Sequence, residues 1–379
     1  MKILTSQAGN FLPILKQFPN AEFFTLRQEL VQQLSGADLK ASPLSAGVFS
    51  VQDEAFNSAA QVLCAAKSPK NLPPQAGAFF RYNLKAFLYQ RLADLSLIVH
   101  ALDLKKPDII LLHNDVEMHT MAAALWAKTR GVPCLHIPHG VYQDINRGPV
   151  GTDIHDLVTA SHLAAAGPFQ AQWYHRRDQD LKIKVTGLPQ FDWWVDMKMD
   201  RERARRLLKL DPKRPVVTFY GHWVQATNKL GLNDESERAY LNFISQIKGV
   251  QVIVKCHPHG GRANWQWHAE KAKEAGIEAR VTASHLEHCL HASDAVCFYG
   301  GSNVAIDAAH IEGLRIITVK GYEAESSIYQ AGVDNLAEVV LDSLKRPAPS
   351  QRTFLSRYDP FCDGQNHLRV AAFVEELCG

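Results

Sequence analysis

Short apolar runs alternate with helix-length segments along most of the chain, and this alternation predicts parallel sheets with helices on both faces. The clearest unit begins at residues 107–112, an apolar run expected to form a buried strand. A helix is expected at 117–130, where Gly131 would end it, and another strand at 132–137. A strand, a helix and a second strand in this order form the repeating unit of an α/β fold.

The alternation restarts at Pro215, after an arginine- and lysine-rich segment, 198–213, that we interpret as a solvated helix rather than a basic binding patch. Two similar halves are therefore predicted, which agrees with a length of 379 residues. Further elements are expected as strands at 2–6, 156–160, 182–186, 216–220, 250–255, 279–282, 295–299 and 315–319, and as helices near 79–102, 235–248, 265–275, 286–291, 303–312 and 365–377.

Charge and composition exclude several classes of protein. Lys and Arg total 41 against 39 acidic residues, a net charge of +2 that is too balanced for a dedicated nucleic-acid binder. The sequence has neither a signal peptide nor an apolar run of roughly 18 residues, so we expect a cytoplasmic protein. The seven cysteines include no CxxC pair and are expected to be reduced core thiols, with Cys256 as the alternative candidate for a reactive thiol.

Polar residues and glycines follow several predicted strands. In open parallel sheets, ligands bind beyond the carboxyl ends of the strands, and two facing sheets would direct these residues into one cleft. The residues at such positions are Asp115, His139, Gly187, Gly221, His222, 257–261 and 300–303.

Residues 300–303, Gly-Gly-Ser-Asn, lead from a strand into a helix. Free backbone N–H groups at a helix start can hold a phosphate or diphosphate, and Asp307, one turn further on, could accept hydrogen bonds from ribose hydroxyls. The alternative is structural, with a tight glycine turn and a serine that caps the helix. The nucleotide-binding candidates from this segment are Gly300, Gly301, Ser302, Asn303 and Asp307.

Lys255 and His257 end another predicted strand, and Pro258 favours an extended conformation for the residue before it. Such groups can donate hydrogen bonds to phosphate oxygens, so these three residues are further nucleotide-binding candidates. Gly221 and His222, at a neighbouring strand end, complete the set.

A zinc site is the alternative for these histidines, because His257 and His259 lie two residues apart and His136 and His139 three apart. No cluster of cysteine or acidic residues completes a ligand set. We therefore expect no metal.

His139 lies in the first half of the chain, opposite the predicted phosphate site. An imidazole that titrates near neutrality suits a general base acting on an acceptor hydroxyl. Asp115 and Glu117 compete for this role. The predicted catalytic residues are accordingly His139, Asp115 and His257.

Several of these motifs occur in a fixed order, and with it the chain from Pro107 onward resembles GT-B-fold transferases. The most similar groups are capsule and lipopolysaccharide glycosyltransferases and the CDP-glycerol glycerophosphotransferases. The motifs are His139-Gly140, Val-Thr-Gly-Leu-Pro-Gln-Phe-Asp at 185–192, Lys-Cys-His-Pro at 255–258, Gly-Ser-Asn-Val-Ala-Ile-Asp at 301–307, Glu-Gly-Leu-Arg-Ile-Ile at 312–317 and an Asp-Gly-x-x-x-x-Arg ending at 363–369.

The resemblance implies two Rossmann-like domains that face an interdomain cleft. The N-terminal domain would span 1–190 and hold the acceptor, the C-terminal domain would span 191–362 and hold the nucleotide donor, and a helix within 363–379 would pack back on the N-terminal domain. It also implies metal-independent transfer without a cofactor, from a CMP- or UDP-linked donor. The functional histidine pair of the glycerophosphotransferases corresponds to His139 and His257.

Two departures from the glycerophosphotransferase pattern favour sugar transfer: Tyr299-Gly300-Gly301 replaces a Tyr-Ser-Ser loop, and Val141-Tyr142 replaces Thr-Pro. We expect a metal-independent glycosyltransferase that moves a sugar from a nucleotide donor to an acceptor hydroxyl in cell-envelope polysaccharide synthesis. The alternatives are a CDP-glycerol-type polyol-phosphate transferase, a nucleotide-sugar 2-epimerase, for which residues 6–10 lack a Gly-Thr-Arg-Pro-like strand end, and a non-catalytic nucleotide-sugar-binding protein.

The expected partners are a nucleotide-sugar donor and a glycan or glycolipid acceptor, with no nucleic acid. An envelope enzyme can also attach to the inner face of the cytoplasmic membrane, although neither a basic amphipathic helix nor an anchor stands out in the sequence.

Overall fold

The described part of the chain forms two parallel sheets, each with helices packed around it. The computed structural model describes residues 1–44, 85–114, 117–141, 159–176, 178–221, 234–257, 261–283, 285–322 and 325–379. Within these ranges every pair of neighbouring strands is parallel.

The first sheet has the strand order β3-β2-β1-β4-β5-β6-β7 among the described residues. Its strands are β1 Lys2–Thr5, β2 Glu22–Thr25, β3 Ala41–Pro43, β4 Ile109–Leu112, β5 Cys134–His136, β6 His162–Ala165 and β7 Lys182–Val185. The second sheet has the order β10-β9-β8-β11-β12-β13. Its strands are β8 Val216–Gly221, β9 Gln251–Cys256, β10 Ala279–Thr282, β11 Ala295–Phe298, β12 Arg315–Thr318 and β13 Tyr329–Gln330.

The strand order reverses between β1 and β4 in the first sheet and between β8 and β11 in the second. A crevice opens at the carboxyl ends of the strands at each such point, which is where doubly wound sheets bind ligands. Strands β4, β6 and β11 are buried at every residue, as expected for strands covered by helices on both faces.

The helices of the described ranges connect and cover these strands. They are α1 Leu12–Leu15, α2 Gln28–Ser35, α3 Lys85–Lys105, α4 Met118–Arg130, α5 Pro168–His175, α6 Trp193–Asp196, α7 Arg201–Leu207, α8 Asp234–Gln246, α9 Gly261–Glu274, α10 Leu286–Ala292, α11 Val304–Ala309, α12 Leu336–Leu344, α13 Arg352–Tyr358 and α14 Asn366–Cys378. Helix α4 ends at Gly131, whose φ of 68° is the left-handed conformation that favours glycine after a helix.

The sequence predicted most strands of the second sheet but fewer of the first. Residues 159 and 160 of the strand expected at 156–160 are not a strand, the rest lie outside the described residues, and the strand is instead β6. Strands β2 and β3 were not predicted, and β3 is only partly buried. No helix within the described ranges is both long and apolar enough to cross a bilayer.

The last helix, α14, packs against α1, β4 and the short 3₁₀ turn Pro189–Phe191 of the first unit. Asp192 holds the start of this helix, because its carboxylate accepts the backbone N–H groups of Asn366 and His367, both at 2.9 Å. It also contacts the His367 ring at 2.8 Å. The first N–H groups of a helix lack partners within the helix, so a carboxylate there stabilises the helix start.

The motif residues around this contact have structural roles. Gly187 has a φ of +72°, and a Cβ there would lie 2.0 Å from the Asn366 side chain, so only glycine fits. Asp363 pairs with Arg369 across the first turn of α14 and accepts the backbone N–H of Gln365 at 3.0 Å. The Asp-Gly-x-x-x-x-Arg ending therefore shapes the entry into the last helix.

Replacing Asp192 with alanine should destabilise the protein by about 1–3 kcal/mol, because two buried backbone N–H groups lose their acceptor. The measurement is the midpoint of denaturant unfolding. Asp196→Ala, an exposed change on α6, is the control and should leave the midpoint nearly unchanged. Equal midpoints for the two variants would contradict the proposed role of Asp192.

Candidate functional site

A cavity of about 350 Å³ opens at the carboxyl ends of β8, β9 and β11, beside the point where the strand order of the second sheet reverses. Of the predicted nucleotide-binding residues that the structure describes, six line it, namely Gly221, Lys255, His257, Ser302, Asn303 and Asp307. Tyr220, Cys256, Leu286, Phe298, Tyr299 and Val304 complete the wall. The strand ends thus bring into one cavity predicted residues that are spread over 86 positions of the sequence, from Gly221 to Asp307.

A second cavity, of about 430 Å³, lies between the two units. From the first unit it is lined by His139, Asn10 and Gln190, and from the second by residues that include Asn303 and Asp307. Because Leu286, Asn303 and Asp307 line both cavities, the two spaces adjoin. A ligand in the first cavity would therefore extend toward His139.

The His-Gly motif of the first unit contacts Asn303 of the second. The backbone N–H of Val141 donates to Asn303 Oδ1 at 2.8 Å. A Cβ on Gly140 would lie only 2.1 Å from Asn303 Nδ2, so the approach requires glycine. Gln190 Nε2 donates to the His139 carbonyl at 2.9 Å, and Asn10 in turn donates to Gln190 at 3.1 Å.

His139 has an exposed side in the cleft. Partial burial of the ring lowers its pKa below the ordinary value of 6.5, and a hydrogen bond to the backbone of His113 partly opposes this shift. The two imidazole rings lie 6.3 Å apart. His139 is therefore mostly neutral at pH 7, the protonation state that a general base needs.

His113 lies beneath His139 and is held in its neutral form. Burial lowers its pKa to about 4, although nearby Glu117 opposes the shift. The amide nitrogen of Asn114 contacts His113 Nε2 at 2.7 Å, so this ring nitrogen is the acceptor and Nδ1 carries the proton toward Ser6 Oγ at 2.8 Å. The backbone N–H of Glu117 donates to Asn114 Oδ1 at 3.4 Å, which turns the amide nitrogen toward His113.

Lys255 brings a buried positive charge to the first cavity. Its side chain is 5% exposed, and its ammonium donates to the carbonyls of Cys256 at 3.0 Å and Ala283 at 2.8 Å. Burial lowers the pKa of this ammonium. Both acceptors are neutral, so an anion in the cavity would gain a favourable interaction with Lys255.

Asp307 lines both cavities and is held by a hydrogen bond from Trp194 Nε1 to Oδ1 at 2.7 Å. Burial raises the pKa of this carboxyl to about 6, and the Trp194 hydrogen bond partly opposes the shift. The carboxylate is ionised above this pH and can accept a hydrogen bond from a ligand hydroxyl.

The turn at 300–303 differs from the expected anion site. The N–H of Val304 donates to Ser302 Oγ at 3.3 Å, and the N–H groups of Ala305 and Ile306 donate to backbone carbonyls of the same turn. These helix-start donors are therefore already used. Gly300, with a φ of +88°, and Gly301 form the turn but do not line either cavity, which fits the structural alternative better.

Three predicted site residues, Asp115, His222 and Pro258, lie outside the described residues. Sequence reasoning in turn missed Tyr220, Gln190 and the Trp193-Trp194 pair. Tyr220 precedes the strand-end Gly221, and Gln190 lies within the 185–192 motif, so position was an available signal for both. Nothing local pointed to the tryptophans.

Two further chemical alternatives were a reactive thiol at Cys256 and a zinc site. Burial raises the pKa of the Cys256 thiol to about 12, which keeps it protonated and unreactive. Within the described part of the chain, the two groups of three residues whose ligand atoms lie within 4.8 Å of one another contain none of the histidines weighed above as zinc ligands. They are His285, Glu287 and His288, and His310, Asp359 and Cys362.

No known protein family and no curated protein matches the sequence. Solved structures do share the fold. A glycosyltransferase from Rickettsia africae has 12% identity and a TM-score of 0.58, with 99% of this chain and 98% of that chain covered. A putative UDP-N-acetylglucosamine 2-epimerase from Listeria monocytogenes has 14% identity and a TM-score of 0.59, with coverages of 99% and 96%.

The UDP-GlcNAc 2-epimerase from Methanocaldococcus jannaschii, solved in complex with UDP-GlcNAc and UDP, has 13% identity and a TM-score of 0.59, with 99% of each chain covered. Together with the sheet topology, these likenesses confirm the predicted architecture of two parallel-sheet α/β domains of the GT-B type.

Replacing Gly140 with alanine should separate the two units locally and lower stability by about 1–3 kcal/mol, because the new methyl group would overlap the Asn303 side chain. Thermal unfolding measures the loss. Gly9→Ala is the control, since a Cβ there would lie 3.9 Å from its nearest neighbour. If Asn303→Ala does not relieve the effect of Gly140→Ala in the double variant, the steric explanation is wrong.

Proposed function

We propose that the protein is a metal-independent glycosyltransferase that uses a nucleotide-activated sugar as donor. The observation that carries the proposal is the pair of adjoining cavities, one lined by Lys255 and His257 and the other by His139, with Asp307 in the wall of both. A donor and an acceptor hydroxyl can thus meet where the cavities join. Solved structures with this fold include a glycosyltransferase and an epimerase in complex with UDP-GlcNAc and UDP, which supports a nucleotide-sugar ligand.

In this proposal the nucleotide occupies the 350 Å³ cavity. Its phosphates lie near the buried ammonium of Lys255 and the His257 ring, and its ribose hydroxyls donate to Asp307. Preorganised positive charge of this kind stabilises the negative charge that develops on the leaving phosphate oxygen. The turn at 300–303 then positions Asn303 and Asp307 rather than supplying free N–H groups.

The transfer step needs one base. The acceptor oxygen forms a bond to the anomeric carbon while the bond from that carbon to the phosphate oxygen breaks, and the hydroxyl proton passes to the His139 ring. The lowered pKa of His139 keeps the ring ready to accept this proton at neutral pH. Asp115, outside the described residues, is the alternative base.

A nucleotide-sugar 2-epimerase is the second candidate, because two of the three structures compared above carry that name. Inverting a carbon that bears hydrogen requires one group to remove a proton and another to return it from the opposite face. Among the described residues of the 430 Å³ cavity, the ionisable side chains are His139 and Asp307, so an epimerase would have to use both. Transfer needs a single base, and in this proposal His139 alone supplies it.

The test is to incubate the protein with UDP-sugars, CMP-sugars and CDP-glycerol, each with and without a mixture of glycan and glycolipid acceptors. We expect nucleotide release together with a glycosylated product, and only in the presence of an acceptor. A changed sugar in the absence of acceptor identifies an epimerase, and consumption of CDP-glycerol alone identifies a polyol-phosphate transferase. Tight donor binding without turnover would indicate a binding protein.

His139→Ala should reduce kcat by at least about a hundredfold, the usual contribution of general-base catalysis, while donor affinity stays the same. In the wild type, kcat/KM should fall on acidification with a midpoint below pH 6.5, because protonation removes the base and burial lowers the His139 pKa. Asp307 ionises in the same pH range, so the profile of the wild type alone cannot identify the group. If His139 is the base, the decrease of kcat/KM at low pH is absent from the profile of His139→Ala.

His257→Ala is the matched comparison, since it removes a histidine from the other wall of the cleft. We expect it to weaken nucleotide binding and turnover together, as measured by calorimetry with UDP and CMP. Undiminished transfer by both variants would refute the roles assigned to His139 as the base and to His257 in nucleotide binding.

A further inference from the structure

A cavity of about 340 Å³ lies at the amino ends of β8, β11 and β12, on the edge of the second sheet opposite the cleft. Among the residues that the structure describes, its wall holds five basic side chains and one acidic side chain, with Pro215 and Leu344 completing it. The basic residues are Arg201, Arg205, Lys213, Arg214 and Arg315, and the acid is Asp294. This concentration of charge contrasts with the net charge of +2 for the whole chain.

Asp294 does not neutralise this wall, because its single charge is already shared. Oδ1 accepts from Arg201 at 2.9 Å, and Oδ2 accepts from Arg205 at 2.6 Å. The backbone N–H of Val216 also donates to Oδ2, at 2.8 Å. Four basic groups therefore remain in excess around the cavity.

Two of the arginines are fixed by backbone carbonyls. Arg205, which is 6% exposed, donates to the carbonyls of Ala292 at 3.0 Å and Pro212 at 2.7 Å. Arg315 donates to the carbonyls of Ser343 at 2.7 Å and Arg346 at 2.6 Å. The carbonyls of Ala292 and Ser343 belong to the ends of α10 and α12, whose partial negative charge offsets only part of a full positive charge.

Lys213 and Arg214 form the open side of the cavity and lie between Pro212 and Pro215 in the loop from α7 to β8. The N–H of Lys213 donates to Asp211 Oδ1 at 2.9 Å, which stabilises the turn. Both side chains are exposed, while two prolines restrict the backbone that carries them. The loop therefore presents two cations from a preformed backbone.

We propose that this cavity binds a phosphate group carried by a ligand. Arg205 and Arg315 supply fixed positive charge, and the more exposed Arg201, Lys213 and Arg214 can donate to phosphate oxygens. Four excess cations suit a ligand with two or more negative charges. The phosphate could belong to a soluble phosphorylated compound or to a lipid headgroup, which share this chemistry. The cavity lies on the far edge of the sheet, so the proposal does not depend on what the cleft does.

The test compares two double variants that remove the same charge. The variant with Lys213→Gln and Arg214→Gln lacks the two cations at the open side of the cavity. The variant with Lys209→Gln and Lys248→Gln lacks two exposed cations of a neighbouring groove on the same sheet edge. Calorimetric titration with inorganic phosphate and pyrophosphate, and sedimentation with vesicles of phosphatidylglycerol or phosphatidylcholine, measure binding. Melting without ligand checks that both variants fold.

We expect at least a tenfold loss of pyrophosphate affinity in K213Q/R214Q and less than a twofold change in K209Q/K248Q. Binding of phosphate in the cleft would be unchanged in both double variants. The difference between their affinities therefore reports binding at this cavity alone. Binding to phosphatidylglycerol vesicles with the same pattern identifies a headgroup, and binding to pyrophosphate alone identifies a soluble compound. Equal losses in the two variants would show diffuse surface charge and overturn the proposal, as would unchanged affinity in K213Q/R214Q.

Discussion

The close approach of Gly140 to Asn303 joins the two units at the cleft. The Asn303 amide occupies the space that a side chain at position 140 would need, and its oxygen accepts the N–H of Val141. Asn303 also lines both cavities of the cleft. One side chain therefore takes part both in the contact between the units and in the wall of the space in which a ligand would lie, so a substitution at Gly140 or Asn303 would alter both.

Around this contact the two walls of the cleft differ in charge. On the first unit, burial lowers the pKa of both His113 and His139, so that wall is largely neutral at pH 7. On the second unit, Lys255 brings a buried cation whose hydrogen-bond acceptors are neutral carbonyls. Asp307 adds a carboxylate to the same wall, with a pKa raised to about 6, so the charged groups of the cleft lie on the second unit. This arrangement suits a donor whose phosphates lie beside Lys255 and whose hydroxyls donate to Asp307, with a neutral acceptor hydroxyl beside His139.

Much of this arrangement could be predicted from the sequence, and the rest depends on contacts distant in the chain. Alternation predicted five of the six described strands of the second sheet, because strands such as β8 and β9 are apolar runs between helix-length segments, whereas β13 has only two residues. Strand β3, Ala-Ser-Pro, has no such signal, since only its pairing with β2 makes it a strand. The position of Asn303 and Asp307 just after a strand indicated that they face a common cavity, and both line one in the structure. The hydrogen bond from Trp194 to Asp307 joins residues 113 positions apart, and nothing in the sequence near either residue indicates it.

The return of α14 to the first unit has a consequence for biosynthesis. Asp192 and Asn366, which hold the start of this helix, are 174 residues apart, and all six strands of the second sheet lie between them. On the ribosome, the second unit is therefore complete before the first can acquire its last helix. The usual order, in which the N-terminal domain folds first, is reversed for the final packing step, and the apolar surface that α14 covers stays open until then.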